Sequence, residues 1–384
     1  MKEMTVEELK QRIESGQEPA ILDIREAAMF SDWHIPGAFN LPVIQAMRMN
    51  DFQPLVERAG EVPRGEPVVV VCNRGISARK AVSALTPLGF DAINLIGGMA
   101  AWSGVWSEAN IGLAGHPGAA FVQVRRNGKG CLSYVIADAG EAIVVDPCVA
   151  VDVYMDIARR LGARIVKVLE THVHADHISR GRELCAVSDP GAGVGAELML
   201  PRTGRVTFEC AFVDDGDCVE VGGVRLRAIH TPGHTGESTC YLVNEEALLT
   251  GDTVFTDSVG RPDLEKGDAG AVEGAHMLYK SLHGPLAKVG DEVMVYPAHT
   301  GAGIAFDGVP VGATLGEARR AMTLLALDEA TFVQRIVEGL SAKPPSHEVI
   351  IAINEGKTDL GEADPLEIEA GPNRCAVATK GAVV

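Results

Sequence analysis

Residues 171–177 read Thr-His-Val-His-Ala-Asp-His and follow directly on the apolar run Ile165–Leu169. No other stretch constrains the fold so tightly. Side chains two apart in an extended segment point the same way, so His172 and His174 can converge. Asp176 and His177 then open the following turn. Four metal-binding groups within six residues have no packing explanation. They require a scaffold that buries them and brings distant partners alongside. Three such partners stand after apolar runs: His234 in Thr231-Pro-Gly-His-Thr235, Asp252 in Leu249-Thr-Gly-Asp-Thr253, and His299 in Tyr296-Pro-Ala-His-Thr300. Loops after buried strands are where rigid folds place ligands. His116, His230, His276, His283 and His347 lack such companions.

With 384 residues, 46% of them hydrophobic and 22% charged, the chain can bury two or three cores. Its net charge of −18 (34 basic against 52 acidic residues) argues against a nucleic-acid partner and against an anionic membrane surface. Met1–Ser15 reads as a surface helix rather than a leader peptide, and runs such as Val68–Cys72 are far too short to span a bilayer. The eight cysteines are scattered without a Cys-x-x-Cys pair, which points to reduced thiols and a cytoplasmic setting.

Strands alternating with helices over residues 1–108 predict a small parallel α/β domain: strands at Ala20–Asp23, Val68–Val71 and Ala92–Leu95, helices at Thr5–Ser15 and Ile76–Leu85. The Gly- and Pro-rich Gly112–Gly118 suggests a linker over 109–118. Hairpin-spaced strands mixed with helices then predict a helix-covered sandwich of two sheets over 119–345. Residues 346–384 read as a C-terminal strand and irregular tail packed on that second domain.

In the first domain Cys72 ends a buried strand, and Asn73, Arg74, Gly75, Ile76 and Ser77 follow as a helix opens. Backbone N–H groups of such a loop point at the sulfur and stabilise a thiolate or a persulfide. A phosphatase loop needs arginine six places after its cysteine; here that place is Ala78 and the arginine is Arg79. Asp23 and Arg25, the His34-Ile-Pro-Gly37-Ala38 turn and Gly97-Gly98-Met-Ala-Ala-Trp102 complete a pattern that resembles a single-domain rhodanese across residues 5–107. That resemblance implies sulfane-sulfur transfer through Cys72, with thiosulfate or sulfite as partner. The family's loop often ends in Arg then Ser, where this chain has Ser77 and Ala78.

The histidine motifs together resemble the metallo-β-lactamase fold, an αββα architecture that hosts hydrolases and oxidoreductases alike. Two centres remain open on spacing alone. In a dinuclear zinc hydrolase of the glyoxalase II type, His172, His174 and His234 would hold one ion, and Asp176, His177 and His299 the other, with Asp252 bridging. In a mononuclear Fe(II) centre, His172, His234 and Asp252 would form a 2-His-1-carboxylate triad, with His174, Asp176, His177 and His299 around it. The runs Thr171–Leu184, Gly260-Arg-Pro-Asp-Leu264 and Val295-Tyr-Pro-Ala-His299 are most similar to the persulfide dioxygenase branch. This resemblance implies one iron per chain and oxidation of glutathione persulfide, or a similar small persulfide, by O₂ to sulfite. It also places Arg261 and Thr235 against the glutathione moiety, with Arg180 as a further candidate. A sulfur-relay domain fused to a persulfide oxidase handles one substrate class throughout. A persulfide carrier or sensor without turnover is a further alternative, and a homodimer is compatible with each reading.

Overall fold

The computed structural model describes residues 1–188, 195–301 and 303–377. The first domain is built on a five-stranded, wholly parallel sheet in the order Lys2–Met4, Ala92–Leu95, Val68–Val71, Ala20–Asp23, Phe39–Asn40. Val68–Val71 lies in the middle and is buried on both faces, as four consecutive valines demand. Helix Val6–Glu14 starts at Thr5, whose hydroxyl accepts from the Glu8 N–H while the Glu8 carboxylate accepts from the Thr5 N–H. The helix Ile76–Leu85 buries Ala78, Ala81, Val82 and Leu85 against the sheet.

The second domain is a sandwich. A seven-stranded sheet runs in the order Ala211–Val213, Glu197–Pro201, Arg164–Leu169, Glu141–Val145, Cys131–Asp138, Ala120–Arg126, Ser107–Ile111. A six-stranded sheet runs Cys218–Val221, Val224–His230, Thr239–Val243, Ala247–Gly251, Met294–Pro297, Ala313–Thr314. Their inner faces share one core that includes Tyr134, Ile143, Leu226, Tyr241 and Leu249. Helix Val151–Arg160 covers the outside of the first sheet, and Ala271–His283 and Glu329–Glu338 that of the second. The order of layers is αββα.

Two boundaries differ from the sequence expectation. The first three residues of the expected linker belong to a strand: Ser107–Ile111 pairs antiparallel with Phe121–Arg125 and closes one edge of the seven-stranded sheet. Its alternation of buried and half-exposed residues is too short to stand out beside the glycines that follow. The expected C-terminal strand is instead two helices, His347–Asn354 and Pro365–Glu369, followed by an extended segment whose Ala376 makes a single bridge to Gly260. Residues 378–384 of that segment lie outside the described residues. The domains meet closely. The Trp33 Nε1–H donates to the Gly128 carbonyl at 2.8 Å, and the Arg126 Nε–H to the Ser103 carbonyl at 2.6 Å.

Candidate functional site

The strand Arg164–Leu169 delivers residues 171–177 to the edge of the sandwich, where the loops after Val224–His230 and Ala247–Gly251 arrive from the other sheet. His172, His234 and Asp252 meet there, all buried, with one ligand atom from each lying within 4.8 Å of the others. His172 Nε2 and His234 Nε2 stand 3.8 and 3.5 Å from Asp252 Oδ2. Ligands on a metal at about 2.1 Å lie about 3.0 Å apart at a right angle and about 3.4 Å apart at a tetrahedral one. The pocket therefore fits an ion after shifts of a few tenths of an ångström.

The outer hydrogen bonds fix which nitrogens are bare. His234 Nδ1 lies 2.8 Å from the Arg261 carbonyl, which can only accept, so Nδ1 carries the proton. The Thr171 hydroxyl donates to Asp146 Oδ2 at 2.9 Å, so it must accept from His172 Nδ1, also at 2.9 Å. Both Nε2 lone pairs and Asp252 Oδ2 are left buried without a hydrogen-bond partner. Three orphaned acceptors aimed at one point are costly unless a cation sits between them. Burial, aided by the neighbouring His174 and His234, holds His172 well below the usual histidine range, and burial likewise lowers His234. Both are then neutral, as metal ligands must be.

His174, Asp176, His177 and His299 lie around this group. His299 Nδ1 is 2.5 Å from Asp252 Oδ1, and its Nε2 is 2.6 Å from Asp176 Oδ2. Burial opposes charging of His299, but the two carboxylates outweigh it and raise its pKa well above normal. Burial similarly opposes ionisation of Asp252, and His299 outweighs it in the other direction. His177 Nδ1 pairs with Asp176 Oδ1 at 3.1 Å. Asp176, His177 and His299 gather with Cys131 into a second group of possible ligands. Burial pushes the Cys131 thiol up to about 12. His174 turns elsewhere, its Nε2 lying 3.1 Å from Asp146 Oδ1 and 3.2 Å from Glu170 Oε2.

In the first domain Cys72 is buried at the C-terminal end of Val68–Val71, and the Ala78 N–H donates to its Sγ at 3.4 Å. Gly75 sits at φ +76°, and a Cβ there would press on the Leu95 carbonyl. The loop is clamped from behind: Met99 and Ala100 N–H donate to the carbonyls of Cys72 and Asn73, and a Cβ on Gly98 would run into the Cys72 carbonyl.

Residues 5–104 match the Rhodanese-like domain family and residues 126–300 the Metallo-beta-lactamase superfamily. Over 173 residues the chain is 33% identical to the probable polyketide biosynthesis zinc-dependent hydrolase BaeB of Bacillus velezensis, covering 44% of this chain and 72% of that protein. The chain belongs to the metallo-beta-lactamase superfamily. It is also 32% identical over 171 residues to a hydroxyacylglutathione hydrolase of Francisella tularensis subsp. novicida, an alignment that covers 43% of this chain and spans 61% of that relative's length. Two solved structures share the fold. A metallo-beta-lactamase from Staphylococcus aureus has TM-score 0.56, 25% identity and coverage of 64% of this chain and 75% of that one. ETHE1 from Myxococcus xanthus has TM-score 0.53, 26% identity and coverage of 62% and 98%.

Around this superfamily site, the three residues expected at the substrate all have partners within the protein. Arg261 is buried; its guanidinium grips Asp263 at 2.7 and 2.9 Å and donates to the carbonyls of Ser341, Ala342 and Arg374. It anchors the C-terminal segment and has no exposed face for a ligand. Arg180 pairs with the buried Glu369 at 3.1 Å, and the Thr235 hydroxyl bonds the Ser238 hydroxyl at 2.8 Å. Arg74 is largely exposed, and Ile76 also faces solvent. Sequence reasoning missed Asp146, Glu170, Cys131 and Glu369. Asp146 sits at φ +53° at the end of Glu141–Val145, a conformation costly for a non-glycine residue. Its carboxylate repays that strain by accepting from the Thr171 N–H and hydroxyl.

Proposed function

We propose that this chain is a bifunctional sulfur enzyme, with an Fe(II)-dependent persulfide dioxygenase site in the second domain and a sulfurtransferase site in the first. The observation that carries the reading is the set of three bare ligand atoms on His172, His234 and Asp252, two neutral imidazoles and one carboxylate, which gather as one group while His174 groups with Asp146 and Glu170. This donor set suits Fe(II), which when bound would supply adjacent positions for O₂ and a persulfide sulfur. The proposed reaction converts glutathione persulfide, O₂ and water into glutathione, sulfite and two protons. The chain's own residues supply the rest. Thr171 and Asp146 orient His172, the Arg261 carbonyl orients His234, and His299 holds one oxygen of Asp252 so that the other faces the histidines. The cluster's burial excludes bulk water. Cys72, cradled by the Ala78 N–H, would carry the sulfane sulfur in the first domain. The glutathione part of the reading draws on the named substrate of the 32%-identical hydrolase and on the sequence resemblance.

A second reading is a dinuclear zinc hydrolase. It is favoured by the group formed by Cys131, Asp176, His177 and His299 and by identity to two hydrolases. Metal analysis of protein purified without added metal separates the two. About one iron per chain, with O₂ uptake on adding glutathione persulfide, supports the dioxygenase. Two zinc ions per chain and thioester cleavage without O₂ uptake overturn it.

A further inference from the structure

Residues 170–180 form neither helix nor strand, yet His174, Asp176 and His177 within them are almost completely buried. The backbone polar groups of such a loop need partners from outside it. One side chain supplies three of them. The Asn354 amide Nδ2–H₂ donates to the His174 carbonyl at 2.9 Å and to the His177 carbonyl at 2.8 Å, and its Oδ1 accepts from the Ser179 N–H at 2.9 Å. Two carbonyls on one side and an N–H on the other fix which way the amide faces. No other side chain of that size offers two donors and an acceptor together.

Asn354 ends the helix His347–Asn354, which lies beyond residues 126–300 that match the superfamily. The helix is seated on the loop itself, with Ile350 and Ile353 in one buried cluster with Ile178. The Arg182 guanidinium donates to the Ile353 carbonyl at 2.9 Å and so satisfies one of the open carbonyls at the helix C-terminus. The chain turns away at Gly356, φ +75°, where a Cβ would press on Phe208 and Thr207. The next residue adds a second path. Glu355 Oε1 lies 3.3 Å from Arg205 Nε, and Arg205 Nη2 donates to Glu237 Oε1 at 2.7 Å. That same glutamate oxygen accepts from the Val173 N–H at 3.0 Å. Asn354 and Glu355 therefore reach the loop on both sides of the His174 ring's own peptide unit.

We infer that Asn354 is a positioning residue of the metal centre, which sets the path of the loop and thereby aims His172 and Asp176. It acts through the backbone and touches no ion. The inference rests on reading His172, His234 and Asp252 as the metal ligands, whichever ion they hold. The route to the ligands is short. A shift of residues 174–177 moves His172 from one side. It also moves Asp176, whose Oδ2 meets His299 Nε2, while His299 Nδ1 holds Asp252 Oδ1. Contacts that orient metal ligands change metal affinity about 10–100-fold.

The test uses the full chain with cobalt(II), whose visible absorption reports coordination geometry. Affinity is read by competition with a chelator, and melting temperature is measured with and without the metal. Asn354→Asp keeps the side chain's size and removes both donors. It should weaken cobalt(II) binding about 10–100-fold, change the visible spectrum, and lower the melting temperature of the loaded protein more than that of the metal-free protein. Asn354→Ser, which retains one donor, should fall between it and wild type, and decides the matter if the Asp variant does not fold. Arg205→Met cuts the second path and should weaken binding several-fold. Wild-type affinity and spectrum in a folded Asn354 variant, or equal losses of melting temperature with and without metal, overturn the positioning role in favour of a merely structural one. Wild type that binds cobalt(II) no better than Asp252→Asn overturns the ligand assignment on which the inference rests.

Discussion

Glu369 is the residue whose loss should be felt most widely. Its side chain is fully buried, its Oε2 pairs with Arg126 Nη1 at 2.6 Å, and its Oε1 accepts from Arg180 at 3.1 Å and from the Ile178 N–H at 2.8 Å. The Ile178 bond fixes the loop that carries His172–His177, and the Lys129 ammonium donates to the Glu369 carbonyl at 2.7 Å. In Glu369→Ala, Arg126 keeps the Ser103 and Cys148 carbonyls but loses its counter-charge inside the protein. Breaking a buried pair from one side costs about 3–5 kcal/mol. At about 2–4 °C per kcal/mol for a domain of this size, the melting temperature should fall by about 6–20 °C. Calorimetry measures the fall, and hydrogen exchange locates it, because the Ile178 amide should lose protection ahead of the sandwich core. Replacing both charges, as in Arg126→Met with Glu369→Leu, should recover most of the loss, since apolar pairs of similar volume often match buried ion pairs. A loss below about 1 kcal/mol in Glu369→Ala, or a double variant no better than the single, would refute this account of how the C-terminal segment is held.

Four further outcomes follow from the geometry. Asp252→Asn should abolish metal binding and O₂ uptake while leaving the far-ultraviolet circular dichroism unchanged. Thr171→Val breaks the Asp146–Thr171–His172 relay and should weaken metal affinity about 10–100-fold, read by competition with a chelator. Cys72→Ser should end sulfur transfer yet leave O₂ uptake intact; loss of both would show that the two sites are not separable. The fourth concerns acid. Burial opposes ionisation of Glu369, but Arg126 and Arg180 outweigh it and hold its pKa below normal. Its stabilisation is therefore complete above the unfolded value of about 4.3 and is lost as pH falls through the lower folded value. Ile178 amide protection should vanish in that window and be indifferent to pH between 6 and 8.

The proposed metal ligands were legible because each follows an apolar run that could only be a strand, and because their spacing has no other use. The central strands were legible for the same reason: Val68–Val71 and Ala142–Val145 are apolar throughout. The supporting residues were not. Asp146 is a single acid without a local pattern, and its meaning lies in Thr171 and His174, which only folding brings beside it; Glu170 adjoins the motif, but nothing in the sequence shows that its carboxylate turns to His174. Arg261 sits in a recognisable motif, yet the three carbonyls that occupy its donors come from residues 80 to 113 positions away. Lys2–Met4 was hidden in what reads as a helical start, since a three-residue edge strand has too little periodicity to register. The C-terminal helices were obscured by the Gly, Asp and Glu between them and by Pro365 at the start of the second, and the burial of Glu369 could not be guessed from an acidic stretch.

The segment from Pro365 to Val377 touches both candidate sites: Glu367 reaches Arg74 beside Cys72, Glu369 holds the histidine loop, and Cys375 adjoins Asp252. During synthesis it emerges after every residue it contacts. Arg74 and Glu367 are roughly 290 positions apart, which at about 5–20 residues per second is about 15–60 s of translation. The first domain can complete its sheet in that interval, but Ile178 and the Arg126 guanidinium must wait. A nascent chain thus passes through a period with the cysteine loop formed and the histidine loop unpinned. A ribosome stalled short of residue 365 would therefore display a formed cysteine loop beside an unpinned histidine loop.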